Sequence, residues 1–67
     1  MLSARNQLDA TVKAVKLGNV MAEVLMDVAG FEVVAAITRG SAEALKLQPG
    51  DRVKAIIKAT EVLVDKP

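Results

Sequence analysis

The chain has 67 residues, a quarter of them charged, and a formal net charge of +1 at pH 7. It contains no cysteine and no histidine, which excludes disulfides, zinc and iron–sulfur sites, a Ser-His-Asp triad and an imidazole base. The nearly balanced charge provides no strong field that would attract nucleic acid or an acidic membrane surface.

The length predicts a single domain over residues 1–67. Hydrophobic residues make up 52% of the chain, more than the small interior of such a domain can hold, so we expect an obligate homo-oligomer. No apolar run approaches the roughly 18–20 residues of a membrane span, and the N-terminus lacks the apolar stretch of a signal peptide. The sequence therefore predicts a cytoplasmic protein.

The first half of the chain has the period-two pattern of β-strands. Apolar and polar residues alternate over residues 8–14, and Gly18-Asn19 follows as a predicted hairpin turn. Residues 20–28 continue the alternation, Ala29-Gly30 marks a second tight turn, and residues 31–37 form a third strand. This half predicts a three-stranded meander.

The second half begins with the one helical signal in the sequence. Ser41 is the predicted N-cap of a short helix over residues 42–47, with Glu43 in its first turn. Gln48-Pro49-Gly50-Asp51 has the composition of a type II turn, and residues 53–57 and 61–64 are predicted strands. The order β-β-β-α-β-β predicts an all-β fold with one short helix, namely a five-stranded OB-like barrel.

Strands two and three are apolar on their outward face as well. Met21, Leu25, Val34 and Ala36 occupy the phase opposite to the inward residues. A strand buried on both faces in so small a domain requires a partner chain. We interpret this face as a subunit interface; a larger core or scattered surface hydrophobes is the alternative.

Two short polar segments, residues 3–8 and 57–62, lie where apolar runs begin and end. Each places a cation near a hydroxyl and an alanine: Ser3-Ala4-Arg5 in the first segment and Lys58-Ala59-Thr60 in the second. Hydrogen-bond donors without acceptors, brought together in space, describe a pocket for a fully deprotonated oxyanion. No general base or activated nucleophile can be assembled, so we do not expect an enzyme.

The chain resembles the molbindins, the stand-alone Mop (TOBE-type) proteins that bind molybdate and tungstate. Four pieces carry the resemblance in order: the opening from Ser3 to Leu8, the segment from Ile37 to Ser41, the turn from Leu47 to Val53, and the segment from Ile57 to Val62. The resemblance implies OB-like subunits assembled into a homohexamer, a trimer of dimers, with oxyanion sites between subunits. It also implies a role in intracellular molybdenum storage or homeostasis.

The resemblance assigns the site residue by residue, with molybdate or tungstate as ligand, no other cofactor and no bare metal cation. The positions that match the family's binding motifs are Ser3, Ala4, Arg5, Thr38, Ser41, Lys58, Ala59 and Thr60. Many relatives have a serine next to the lysine where this chain has Ala59, so the backbone N–H becomes the expected contact there.

Simpler interpretations exist for the same residues. Arg5 and Lys58 are alternatively solvated surface charges, and Ser3 is alternatively a residue that satisfies backbone groups at a strand end. Thr38 is alternatively an ordinary strand residue, and Ser41 is alternatively a helix cap. Two other classes of function also remain open. A structural oligomerisation module explains the two-sided strands but not the converging donors. An OB-type nucleic-acid-binding domain uses stacked aromatic residues, whereas this chain has a single phenylalanine and no tyrosine or tryptophan.

Overall fold

The computed structural model describes residues 5–67. In this part of the chain four β-strands and a short α-helix are followed by a 3₁₀ turn. The elements are β1 (Asn6–Leu17), β2 (Met21–Val28), β3 (Phe31–Thr38), α1 (Arg39–Ala44), β4 (Arg52–Ile57) and the 3₁₀ turn Ala59–Glu61.

The four strands form one antiparallel sheet in the order β3-β2-β1-β4. The long strand β1 serves two neighbours: its first half pairs with β4, and its second half pairs with β2. The register against β2 shifts between Val12 and Ala14, which makes Lys13 the extra residue of a β-bulge. Because a bulge bends and twists its strand, β1 can turn from one neighbour to the other.

The core lies on one face of this sheet. Its buried residues are Ala10, Val12, Val24, Met26 and Ala55, of which Val12 is only 1% exposed. The predicted inward phase of the first two strands is therefore confirmed at these positions. After the bulge the phase of β1 changes, and Val15 packs against the core in place of the predicted Ala14.

The prediction of a mostly-β fold with one short helix is confirmed, but that of a five-stranded barrel is wrong. The described residues form an open sheet of four strands. Residues 61–64, the predicted fifth strand, lie outside it: Glu61 ends the 3₁₀ turn and the next three residues have no strand partner. Apolar composition alone does not make a strand, because a strand also needs a neighbour with which to share backbone hydrogen bonds.

The helix starts earlier than predicted, and Thr38 rather than Ser41 is its N-cap. Thr38 has extended backbone angles, and its Oγ1 accepts a hydrogen bond from the Ser41 N–H at 3.1 Å. Threonine and serine can both cap a helix. Thr38 is the cap here because β3 ends at this residue and the helix begins directly after it. Glu43 consequently lies near the end of α1 and not in its first turn.

The turn after α1 matches its prediction. Gly50 has a φ of 95°, and the Asp51 N–H donates to the Gln48 carbonyl at 3.1 Å, as a type II turn requires. The Asp51 carboxylate also accepts the Gln48 N–H at 2.9 Å. Within residues 5–67, no helix has the length and apolar character needed to cross a membrane.

Candidate functional site

The first group of site residues lies where β1 begins and β4 ends. Asn6 and Ile57 are antiparallel partners in the sheet. Arg5 directly precedes Asn6 and Lys58 directly follows Ile57, so both cations lie at the same end of the β1–β4 pair. Both side chains are exposed. The pairing of β1 with β4 thus brings together two polar segments that are more than fifty residues apart in the sequence.

The 3₁₀ turn Ala59–Glu61 adds further donors beside these cations. The Glu61 N–H donates to the Lys58 carbonyl at 2.8 Å, and the Val62 N–H donates to the Ala59 carbonyl at 3.4 Å. The turn's own hydrogen bonds therefore involve neither the N–H of Ala59 nor that of Thr60. The Thr60 hydroxyl, also exposed, is the third kind of donor at this end of the sheet.

Of the nine cations, which all lie within residues 5–67, three have an acidic partner, and Arg5 and Lys58 are among the six that have none. Lys13 pairs with Glu32 at 3.3 Å, Arg39 with Glu43 at 2.7 Å, and Lys54 is 4.0 Å from Asp9. Among residues 5–67, no carboxylate lies within salt-bridge distance of Arg5 or Lys58. The same range holds no group of three or more acidic side chains that could bind a metal ion. This end of the sheet therefore suits an anion.

The second group, Thr38 and Ser41, lies elsewhere in the molecule. The Thr38 hydroxyl donates to Ser41 Oγ at 2.8 Å, so the two side chains bind each other and the Ser41 proton remains to be donated. Thr38 pairs with Met21, whose carbonyl accepts the Gly18 N–H. This group is therefore at the Leu17 end of β1, whereas Arg5 and Lys58 are at its opposite end.

The structure thus brings some of the predicted site residues together and separates others. Arg5, Lys58, Ala59 and Thr60 lie together; Thr38 and Ser41 form their own pair at the far end of β1. Ser3 and Ala4 were also predicted for the site, and they lie outside the described residues.

The sequence reasoning missed Arg39, which positions the Thr38–Ser41 pair. Its backbone N–H donates to the Val20 carbonyl at 2.7 Å, and its Nη1 donates to the Gly18 carbonyl at 3.2 Å. Its Nε also bonds Glu43 one helical turn later, at 2.7 Å. The i,i+4 spacing of Arg39 and Glu43 could have predicted their ion pair from the sequence. No sequence pattern indicated the contacts of Arg39 with Gly18 and Val20, in the turn between β1 and β2.

Comparison with known proteins places the chain in a family. A model of the TOBE domain matches residues 2–64. Molybdenum-pterin-binding protein 3 of Clostridium pasteurianum is 44% identical over 64 residues, which cover 94% of each chain. The aligned region therefore covers nearly the whole of both proteins.

Two solved structures extend the similarity to the fold. A molybdate binding protein from Sporomusa ovata superposes with a TM-score of 0.95 at 53% identity, covering 98% of both chains. MopII from Clostridium pasteurianum gives a TM-score of 0.91 at 36% identity, covering 98% of this chain and all of the other. The names of these relatives describe binding proteins and not enzymes. The resemblance read from the sequence is confirmed: the chain belongs to the TOBE-domain family, in the group that includes the molybdenum-pterin-binding proteins.

Proposed function

We propose that this protein binds molybdate, and tungstate in the same way, as a binding protein without catalytic activity. The observation that carries the proposal is the placement of Arg5 and Lys58 at the same end of the β1–β4 pair, exposed and without a carboxylate partner among the described residues. The names of the similar proteins from C. pasteurianum and S. ovata support molybdate as the ligand.

The chemistry of the donors favours an anion that carries no proton. Molybdate has two negative charges and four acceptor oxygens, and near neutral pH it has no proton to donate. Phosphate is partly protonated near pH 7, and only a hydroxyl oxygen of this set could accept its proton, because the cations and backbone N–H groups only donate. An unpaired buried polar group costs roughly 1–3 kcal/mol, which disfavours phosphate. Sulfate is fully deprotonated but smaller, so its exclusion depends on the size of the pocket.

A pocket that uses all the assigned residues needs two chains. Thr38 and Ser41 lie at one end of β1 and Arg5 and Lys58 at the other. Eleven residue steps of strand separate the ends, a contour of roughly 36 Å. We therefore place the site between subunits of a homo-oligomer, with a homohexamer built as a trimer of dimers as the proposed assembly.

Each assigned residue has a distinct role in this pocket. Arg5 and Lys58 supply positive charge, and the hydroxyls of Ser3, Ser41 and Thr60 donate hydrogen bonds to oxyanion oxygens. Ala4 and Ala59 contribute backbone N–H groups, and Thr38 orients Ser41. We propose that the chain acts as a single domain over residues 1–67 and holds molybdate in the cytoplasm, for storage or homeostasis.

Titration calorimetry of the full chain with molybdate, tungstate, sulfate and phosphate tests the proposed ligand. We expect saturable binding of molybdate and tungstate with a defined stoichiometry, and much weaker binding of the other two anions. Analytical ultracentrifugation of the same sample should give a mass several times 7.1 kDa. Equal binding of all four anions would contradict a molybdate site, and a folded monomer would contradict a site between subunits.

A further inference from the structure

Arg39, the first residue of α1, connects the helix to the turn between β1 and β2. Its backbone N–H donates to the Val20 carbonyl at 2.7 Å, which extends the pairing of β2 with β3 by one position. Its side chain donates in two directions, from Nη1 to the Gly18 carbonyl at 3.2 Å and from Nε to Glu43 Oε1 at 2.7 Å. One guanidinium therefore joins the turn to a residue one helical turn into α1.

The turn that receives these contacts is closely packed. The Gly18 N–H donates to the Met21 carbonyl at 2.8 Å, and a Cβ atom on Gly18 would lie only 2.9 Å from the same oxygen. Met21 is the strand partner of Thr38, which directly precedes Arg39 in the chain. The contacts thus close a ring that consists of Gly18, Met21, Thr38 and Arg39. This ring fixes Thr38 relative to the turn.

The helix itself has little else to hold its orientation. It has six residues, fewer than a helix needs to be stable on its own. Of these six only Ala42 is buried, and its side chain ends at Cβ, so it provides a small anchor. Because Arg39 begins the helix and Glu43 lies one turn later, the bonds of the guanidinium to Gly18 and Glu43 set the rotation of α1 about its axis.

The direction of the Ser41 hydroxyl depends on this arrangement. Thr38 Oγ1 accepts the Ser41 N–H at 3.1 Å and donates to Ser41 Oγ at 2.8 Å. The second bond uses the serine oxygen as an acceptor, which leaves the serine proton to be donated elsewhere. The position of Thr38 and the rotation of α1 together decide where that proton points, and Arg39 acts on both.

We infer that Arg39 is a positioning residue that determines the selectivity of the anion pocket for molybdate over sulfate. This inference rests on the proposed function. Both anions carry two charges and four oxygens, so attraction to cations does not separate them, and they differ in size. Donors discriminate between them only when they are held in place to within roughly 0.5 Å. A Ser41 hydroxyl that was free to move would follow either anion.

Arg39→Lys tests the inference because it keeps the positive charge. Lysine presents one nitrogen in place of the guanidinium fork, so it does not reproduce the simultaneous bonds to Gly18 and Glu43. Titration calorimetry with molybdate, and displacement of bound molybdate by sulfate, give both dissociation constants at fixed ionic strength. We expect the preference for molybdate to fall about two- to tenfold, the factor that corresponds to one hydrogen bond.

Arg52→Lys is the matched control. Arg52 is exposed at the start of β4 and pairs with Thr11, away from α1 and the β1–β2 turn, so this variant should leave both constants unchanged. An unchanged preference in Arg39→Lys, beside a wild-type protein that prefers molybdate, would overturn the inference and leave the proposed function in place. Equal binding of both anions by the wild type would overturn the proposed function and the selectivity role together.

Amide hydrogen exchange, followed by NMR on the full chain without any oxyanion, measures the positioning role separately. We expect the Ser41 N–H, which is bonded to Thr38 Oγ1, to exchange about two- to tenfold faster in Arg39→Lys than in wild type. The Val12 N–H donates to the Asp51 carbonyl at 2.9 Å in the core and should keep its rate, which shows that the variant is folded. Equal exchange of Ser41 in both proteins would contradict the inference, whatever anion the protein binds.

Discussion

At the scale of single residues, the defining feature of the molecule is two cations that lie just beyond the last residue pair of β1 and β4. Like charges on facing positions of an antiparallel pair are destabilising, and most charged pairs between strands of this sheet are of opposite sign, as with Asp9 and Lys54. Arg5 and Lys58 follow the Asn6–Ile57 pair without such compensation among the described residues. A bound dianion would turn this repulsion into attraction to a common ligand.

Removal of either cation should therefore weaken molybdate binding specifically. We expect Arg5→Ala or Lys58→Ala to lower the binding free energy by ~1.5–3 kcal/mol, the usual contribution of a charge-assisted hydrogen bond. Titration calorimetry measures the change. Lys13→Ala is the matched control, because it removes a lysine that pairs with Glu32 instead. Similar losses in all three variants would indicate diffuse attraction and would contradict a defined site.

The sequence identified the residue types of this site but not their arrangement. Arg5 and Lys58 stand out as cations beside small polar residues. The register of β1 against β4 places the two segments that contain them at the same end of the sheet, and their common role in a site stays a prediction. That register depends on contacts between distant parts of the chain, which a local alternation pattern does not encode. For the same reason the sequence did not indicate that Thr38 and Ser41 lie at the other end of β1.

At the scale of elements, the β2–β3 hairpin contains a strained position. Val28 pairs with Phe31, and the two residues between them both have positive φ, 50° at Ala29 and 89° at Gly30. These values are typical of a type I′ turn, for which Asn-Gly is the preferred sequence. An alanine in the left-handed region carries a steric cost that asparagine largely avoids.

Ala29→Asn should consequently stabilise the protein. We expect a gain in the free energy of unfolding of about 0.5–1 kcal/mol, measured by urea denaturation at fixed protein concentration. Ala44→Asn serves as the opposite control, because asparagine is a poorer helix former than alanine at that exposed position of α1. A loss of stability in Ala29→Asn would mean that the hairpin does not adopt this turn.

The elements also show where local patterns determine structure and where they do not. The strands around residues 10–12 and 22–26 form as predicted because alternation matches a sheet with one buried face. The helix begins three residues earlier than predicted because Thr38 and Ser41 are both capping residues. Which of them is the N-cap depends on where β3 ends, and β3 ends at Thr38. The segment after Glu61 has strand composition, but the described part of its own chain offers it no paired neighbour.

At the scale of the whole molecule, the core is small and the outward surface is unusually apolar. The central cluster has five buried residues, and Met21 and Val34 remain about half exposed on the outward face. These are two of the positions that the sequence predicted to face a partner chain. Both features favour an assembled state over a stable isolated monomer.

Anion binding between subunits should stabilise this assembly against heat. A ligand that binds the assembled state and not the unfolded chain raises the melting temperature by mass action. We expect molybdate and tungstate to raise it equally and phosphate at the same ionic strength to have little effect. Thermal melting at one protein concentration checks this. Equal shifts with all three anions would reduce the effect to general salt screening.

The central claim is that one molybdate pocket combines Lys58 of one chain with Ser41 of another. Two variants test it: Lys58→Glu, and Ser41→Asp, whose carboxylate suits the first turn of α1 but repels an anion. Each variant alone should lose molybdate binding.

The decisive measurement is calorimetry on the two variants refolded together. Mixed oligomers contain pockets in which an intact Lys58 from one variant meets an intact Ser41 from the other. The account predicts that the mixture regains molybdate binding at wild-type affinity and reduced stoichiometry. A mixture that stays inactive, or a Ser41→Asp variant that binds as well as wild type, would contradict a pocket shared between chains.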